Sequence, residues 1–295
     1  MLKKIFISIM SVGIVLTAAG CTVAKDTKSN NGKINVVASI NSVRDFAQKV
    51  GGDKVNVTLL VPEGTEPHDF DPKPKDLEKL ANADLFVYSG AGMEDWVDSV
   101  KSAVGSSEKL TILDASKNVD LIKSDGKTDP HIWLSLKEAK NQSKSILDEL
   151  IKLDSKDKSY FEQNYNNFAK ELDDLYNSNK SRFASLANKD FVTGHEAFGY
   201  LCRDFGLTQK SVEDMFAEGE PTPKKQATLV KFCRDNNIKT IFMETLASPK
   251  VSETLANEVN AKVEKIYTLE SKEDGLDYVQ AMKKNLDKIY DSLKK

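Results

Sequence analysis

The chain has only three histidines, and each lies in a short stretch rich in turn-forming residues: His68 in "TEPHDFDP", His131 in "TDPHIWLS" and His195 in "VTGHEAFGY". Each follows a Pro or Gly and precedes an aromatic residue a few positions on. A single histidine of this kind reads most simply as a surface or core residue. All three together, with none spent elsewhere, read as a metal-ligand set. Zn²⁺ takes imidazole nitrogen and carboxylate oxygen at about 2.0–2.2 Å in a small shell, so residues from separate loops can supply it only if the fold brings them together. Pro67 and Pro130 restrict the backbone beside two of the imidazoles, which reduces the entropy lost on fixing them. Asp69, Asp71 and Asp129 are candidates to hold an imidazole N–H from behind. Glu270, at the end of "VEKIYTLE", offers a carboxylate, with Glu273 and Asp274 close by.

Such a set needs elements to position it. Short apolar runs recur at "INVVASI" (34–40), "VNVTLLVP" (55–62), "ADLFVYSG" (83–90) and "LTILDAS" (110–116). They return at "KDFVTGH" (189–195), a weaker "TQKSVEDM" (208–215), "IKTIFMET" (238–245) and "VEKIYTLE" (263–270). Helical periodicity fills the gaps, and strand alternating with helix implies parallel sheets. Two such series predict two α/β lobes, 34–154 and 188–295, each built on a four-stranded parallel sheet flanked by helices.

Between the lobes Phe161, Tyr165, Phe168, Leu172 and Leu175 mark one face of a helix. A linking helix over 155–187, about 30 residues and so about 45 Å long, would restrain lobe motion more than flexible loops could. Two helices with a break are the alternative. Ligands of parallel α/β sheets bind beyond the carboxyl ends of the strands. His68, His195 and Glu270 each follow or close a strand, and His131 precedes a helix starting near Ser135. The sequence therefore predicts a metal site in the cleft between lobes.

The chain begins "MLKKIFISIMSVGIVLTAAGC". Lys3 and Lys4, an apolar run too short to span a membrane and a small-residue ending read as a signal peptide over 1–20. The small-small-Cys ending resembles a bacterial lipobox, although Ala18 stands where leucine is commoner. It implies cleavage before Cys21 and lipid on its sulfur, with an ordinary signal peptide and an incidental cysteine as the alternative. Residues 21–33 are polar and read as a lipidated flexible tether to the outer face of the cell membrane. Removal of 1–20 leaves 40 basic groups against 45 acidic ones, a net charge of −5. With no basic cluster, nucleic acid is excluded as a partner. Cys202 and Cys233 could pair outside the cytoplasm, but both lie in helix-like segments where a lone cysteine is usually a small buried hydrophobe.

At the histidines the sequence resembles the metal-binding lipoproteins that deliver zinc or manganese to ABC importers, the bacterial solute-binding protein family 9 type. The matching stretches are "EPHDFDPKPKDLEKLANADLFVYSGAGMEDW", "DPHIWL", "GHEAFGYLCRDFGL", "IFMETLASPKVSETLANEV" and "YVQAMKKNLDKIYDSL", so the resemblance spans nearly all of the chain beyond residue 33. It implies two α/β lobes joined by one rigid helix with the ion between them, a monomer, and an ABC permease as partner. It implies His68, His131 and His195 as ligands, with Glu270 or water in the fourth position. Glu270 stands where aspartate is usual in the family. Glu244 aligns with an acidic residue common there, with a structural or ligand-supporting role. The long His-rich loop of many zinc-specific members is absent, and "NVDLIKSDGKTDPH" stands in its place.

The implied function is capture of Zn²⁺ and its delivery to the permease. The alternatives are the same role for Mn²⁺, or a metal-dependent surface adhesin. Three imidazoles outnumbering one carboxylate favour zinc, since manganese sites lean on harder oxygen ligands. A zinc hydrolase is the rival class. The sequence "HEAFG" starts like a metalloprotease helix, but its second histidine would have to stand at 199, which is Gly, so the chain reads as no enzyme.

Overall fold

The computed structural model describes residues 32–105, 109–124, 126–216, 222–246 and 249–294. The signal segment, Cys21 and most of the tether lie outside them. Strand β1 (Ile34–Ala38) is buried at four of its five positions, as a central strand covered on both faces must be. It is followed by α1 (Asn41–Gly51), β2 (Val55–Leu59), α2 (Pro74–Ala81), β3 (Leu85–Tyr88), α3 (Val97–Val104) and β4 (Thr111–Asp114). All pairings are parallel, in the order β2-β1-β3-β4. A small antiparallel hairpin, β5 (Lys123–Ser124) with β6 (Lys127–Thr128), leads through a tight turn at Ile132–Leu134 into α4 (Leu136–Leu153).

Next comes α5 (Lys158–Ala184), whose 27 residues make it about 40 Å long. The second half comprises β7 (Asp190–Thr193), α6 (Gly199–Phe205), β8 (Thr208–Ser211), α7 (Pro223–Asp235), β9 (Thr240–Met243), α8 (Pro249–Val259), β10 (Lys262–Lys265) and α9 (Tyr278–Leu293). Its sheet is again wholly parallel, in the order β10-β9-β7-β8. The two four-stranded parallel sheets and the long helix between them are as expected. Every strand read from the sequence forms, including the weak one at β8. The break before α5 falls where Asp154 closes α4 and accepts from the backbone N–H of Lys156 at 3.1 Å.

One apolar cluster runs through both halves, from Ile34 to Leu293. Its centre is an aromatic trio in which Phe46 of α1 meets Tyr278 of α9 edge-on at 4.8 Å and Phe168 of α5 at 5.9 Å. Polar ties reinforce it. The indole N–H of Trp133 donates to the carbonyl of Thr268 at 2.7 Å, and Tyr278 donates its hydroxyl to the carbonyl of Trp133 at 2.5 Å. Residues 32–295 therefore form one compact unit in which α9, last in sequence, packs beside α1 and α5. Phe46→Ala removes the central ring of the trio and should cost about 3–5 kcal/mol. Chemical denaturation should show that loss as a shift of a single transition, because the core is shared.

Candidate metal centre

His131 is fully buried at the turn before α4. The Asp129 carboxylate fixes it twice, accepting from the His131 backbone N–H at 2.9 Å and lying 3.0 Å from Nδ1. With Asp129 beside Nδ1, the other ring nitrogen, Nε2, lies 3.8 Å from Oε1 of Glu270. The Asp129 loop is held in place by Tyr200 of α6, whose hydroxyl donates to the Asp129 carbonyl at 2.8 Å. A Cβ at Gly199 would overlap the Asp129 carboxylate, so the glycine that rules out a metalloprotease motif makes room for this support.

His195 sits two residues beyond β7. The buried carboxylate of Glu244 accepts from the backbone N–H of Gly194 at 3.1 Å and of His195 at 3.3 Å, with Oε1 3.7 Å from His195 Nδ1. Gln209 of β8 donates to the His195 carbonyl at 2.8 Å. Glu270 lies beyond β10 and accepts from the Thr268 hydroxyl at 2.7 Å. Its backbone is held by the other half: α1 donates from Asn41 N–H to the Glu270 carbonyl at 2.9 Å and from Ser42 N–H to the Leu269 carbonyl at 3.2 Å. Leu269 takes a left-handed φ of +66° to make this turn, a strained conformation for a branched residue held by its surroundings.

The fold thus gathers His131, His195 and Glu270, all buried, with one potential ligand atom from each within 4.8 Å of the others. His68, in the loop between β2 and α2, lies just outside that group. Its ring stands edge-on to that of His131, with centroids 5.9 Å apart. Both ring nitrogens of His68, Nε2 of His131 and Nδ1 of His195 are shut off from water and make no hydrogen bond.

Of the carboxylates expected behind the imidazoles, Asp129 takes that role. Asp69 and Asp71 are exposed, and Asp71 pairs with Lys73 at 2.5 Å. Glu273 and Asp274 turn away to Lys265, at 3.3 and 3.1 Å, leaving Glu270 to face the histidines. Glu66 was missed by the sequence reading, though it stands two residues from His68. Its carboxylate accepts from the His68 backbone N–H at 3.4 Å, and its charge acts on Glu270. Cys202 and Cys233 are free, buried in separate clusters.

Burial, helped by the neighbouring His131, lowers His68 to about 3 and holds His195 well below the usual imidazole range. Both are neutral at physiological pH and ready to coordinate. Burial and then the charge of Glu66 push Glu270 well above the ordinary carboxyl range, and burial raises Glu244 to about 8. Carboxyls whose protonated form is favoured by burial thus stand beside buried imidazole nitrogens that have no hydrogen-bond partner.

Residues 36–292 match the family described as ZnuA, the periplasmic component A of a zinc-uptake complex. The chain belongs to the ZnuA family. Within or near that family, the high-affinity zinc uptake system protein ZnuA of Bacillus subtilis (strain 168) is 35% identical over 301 residues, which is 95% of this chain and 94% of that protein. The laminin-binding protein Lmb of Streptococcus agalactiae, described as bifunctional with adhesin and metal transporting activity, superposes with a TM-score of 0.84 at 31% identity. That match covers 89% of this chain and all of the solved one. The metal-dependent lipoprotein YcdH from Bacillus subtilis superposes with a TM-score of 0.78 at 37% identity, over 88% of this chain and 99% of the other. The ZnuA-type fold, two parallel four-stranded sheets with a long helix between, is the one observed.

The electrostatics bring a carboxyl into the pH dependence. From unperturbed histidines, a site of this kind would be expected to lose metal as pH falls from about 7 to 5. Here burial already favours the neutral form of His68 and His195, and it favours the protonated form of Glu270, so a dication that engages that carboxyl displaces a proton from it. Zinc binding near pH 6 should therefore release a proton and weaken as pH falls. Calorimetry in two buffers of different ionisation heat measures the release, which Glu270→Gln should reduce.

Proposed function

We propose that this ZnuA-family chain is the extracytoplasmic capture component of a metal importer, binding Zn²⁺ as its cargo and presenting the loaded form to an ABC permease. The convergence of His131, His195 and Glu270 within 4.8 Å, in a setting where imidazole nitrogens lack partners, carries this reading. Each buried polar atom left unpaired costs about 1–3 kcal/mol, and one cation could satisfy several at once. His68 is the further ligand, reaching the ion from its loop; its unpartnered ring nitrogens and its contact with His131 support that role.

The residues fit zinc: imidazole predominates over carboxylate, and Asp129 fixes the tautomer of His131 as a metal-bound histidine requires. On this reading the lobes 34–154 and 188–295, with the linker 155–187, carry ligands on both sides of the cleft, and the ion favours whichever state brings them together. No helix among the described residues is long and apolar enough to cross a membrane. Attachment falls to lipid on Cys21, in keeping with a similar protein described as a lipoprotein. An adhesive role would be an additional one, as described for Lmb.

Replacing His68, His131 or His195 by alanine should lower zinc affinity by at least about tenfold each. Calorimetric titration measures this, and a histidine whose loss leaves affinity unchanged is no ligand. The same titration with competing Mn²⁺ at pH 7 should leave zinc in place; displacement at comparable concentrations would reassign the cargo to manganese. Cys21→Ser should move the protein from the membrane fraction to the soluble one, and continued fractionation with membranes would remove the lipid anchor from this account.

A further inference from the structure

The members of the candidate cluster differ in burial. His131, His195 and Glu270 are buried, whereas His68 is half-buried and forms the least enclosed margin of the group. One side chain from the second half lies across that margin. The ring of Phe216 meets the ring of His68 edge-on, centroids 5.1 Å apart and planes at 73°. On the same phenyl ring sits the ammonium of Lys127, from β6 of the first half, 4.9 Å from its centroid. Phe216 therefore engages two elements of the half to which it does not belong.

Its loop is tied to the segment that carries His195. Val212 N–H donates to the Thr193 carbonyl at 3.2 Å, Glu213 N–H to that of Gly194 at 2.7 Å, and Glu196 N–H to that of Asp214 at 3.2 Å. Phe216 N–H donates to the Asp214 side chain at 3.1 Å, closing the turn. The β5–β6 hairpin joins the same segment through the Ser124 hydroxyl, which donates to Glu196 at 3.0 Å. Phe216 is thus positioned by the same backbone that positions one proposed ligand, while its ring rests on another.

We propose that Phe216 is the cover of the metal site, an apolar ring that sets how fast the bound ion escapes by restraining His68 and keeping water from the ion's open side. The proposal rests on the zinc-capture reading and adds to it a residue that touches no metal. For an ion to leave, a ligand must swing away and water must take its place. His68 is the least buried of these residues, and the ring of Phe216 packs against it where it would swing. Lys127 steadies the ring by a cation–π contact. Binding differences among variants of one site fall mostly on the dissociation rate, which is where the effect of the cover should show.

The test is stopped-flow dissociation of the one-to-one zinc complex into excess chelator, using the wild-type chain, Phe216→Ala, Phe216→Tyr and Lys127→Met. Phe216→Ala should still bind one Zn²⁺ and keep its metal-free melting temperature, but should release the ion about tenfold faster or more. Phe216→Tyr should restore the slow rate, and Lys127→Met should fall between. A rate for Phe216→Ala within about twofold of wild type would overturn the proposal, as would loss of zinc stoichiometry, which would make Phe216 structural. If the wild-type chain itself takes up no zinc, the capture reading fails, and that result is distinct from an unchanged rate.

Discussion

The organising constraint is the burial of imidazole nitrogens that have no hydrogen-bond partner. Water is kept from both ring nitrogens of His68, from Nε2 of His131 and from Nδ1 of His195, and the protein offers those nitrogens nothing in exchange. A fold can hold such groups only if its surroundings leave them no other position, and the supports are visible. Asp129 grips one ring, Glu244 the backbone of another, and α1 the loop of Glu270. Each support is itself buried, so the rigidity of the cleft extends into the core beneath it. Carboxyls whose ionised form is penalised by the same burial complete an environment that favours a small dication.

The frame that holds these supports is continuous between the halves. Phe46, Phe168 and Tyr278 join three helices from three parts of the chain, and the Trp133–Thr268 and Tyr278–Trp133 hydrogen bonds join the turn before α4, which carries His131, to the second half. A structure tied in this way favours small local adjustments over wide separation of its halves. The loop that carries His68 is the least enclosed part of the cluster, so it is where adjustment is cheapest.

The fold was largely legible in the sequence because parallel strands buried on both faces leave dense apolar runs, and the runs at 34–40 and 238–245 could hardly be anything else. The 4-3-4-3 spacing from Phe161 to Leu175 likewise marked α5. The histidines were legible because they are so few. What could not be read was which acidic residue stands behind which ring. Asp69, Asp71 and Asp129 look alike in sequence, and only backbone geometry turns Asp129 inward while Asp71 meets Lys73 at the surface. Glu66 and Phe216 escaped notice for a related reason. The importance of Phe216 comes from contacts, and that of Glu66 from a charge acting on Glu270, across a long sequence separation that neither type nor spacing announces.

The docking of α1 against the Glu270 loop bears on which ligands the cleft refuses. In many α/β binding proteins the first N–H groups of a helix are left free at the carboxyl edge of the sheet, where they cradle phosphate or another anion. Here the first two, from Asn41 and Ser42, are consumed by the carbonyls of Glu270 and Leu269. An architecture commonly used to hold oxyanions has had those donors capped by its own main chain, and the oxygen and nitrogen lone pairs that face the cleft repel what the uncapped helix would have attracted. Discrimination against anions is thereby built into the backbone, before any choice among metals is made.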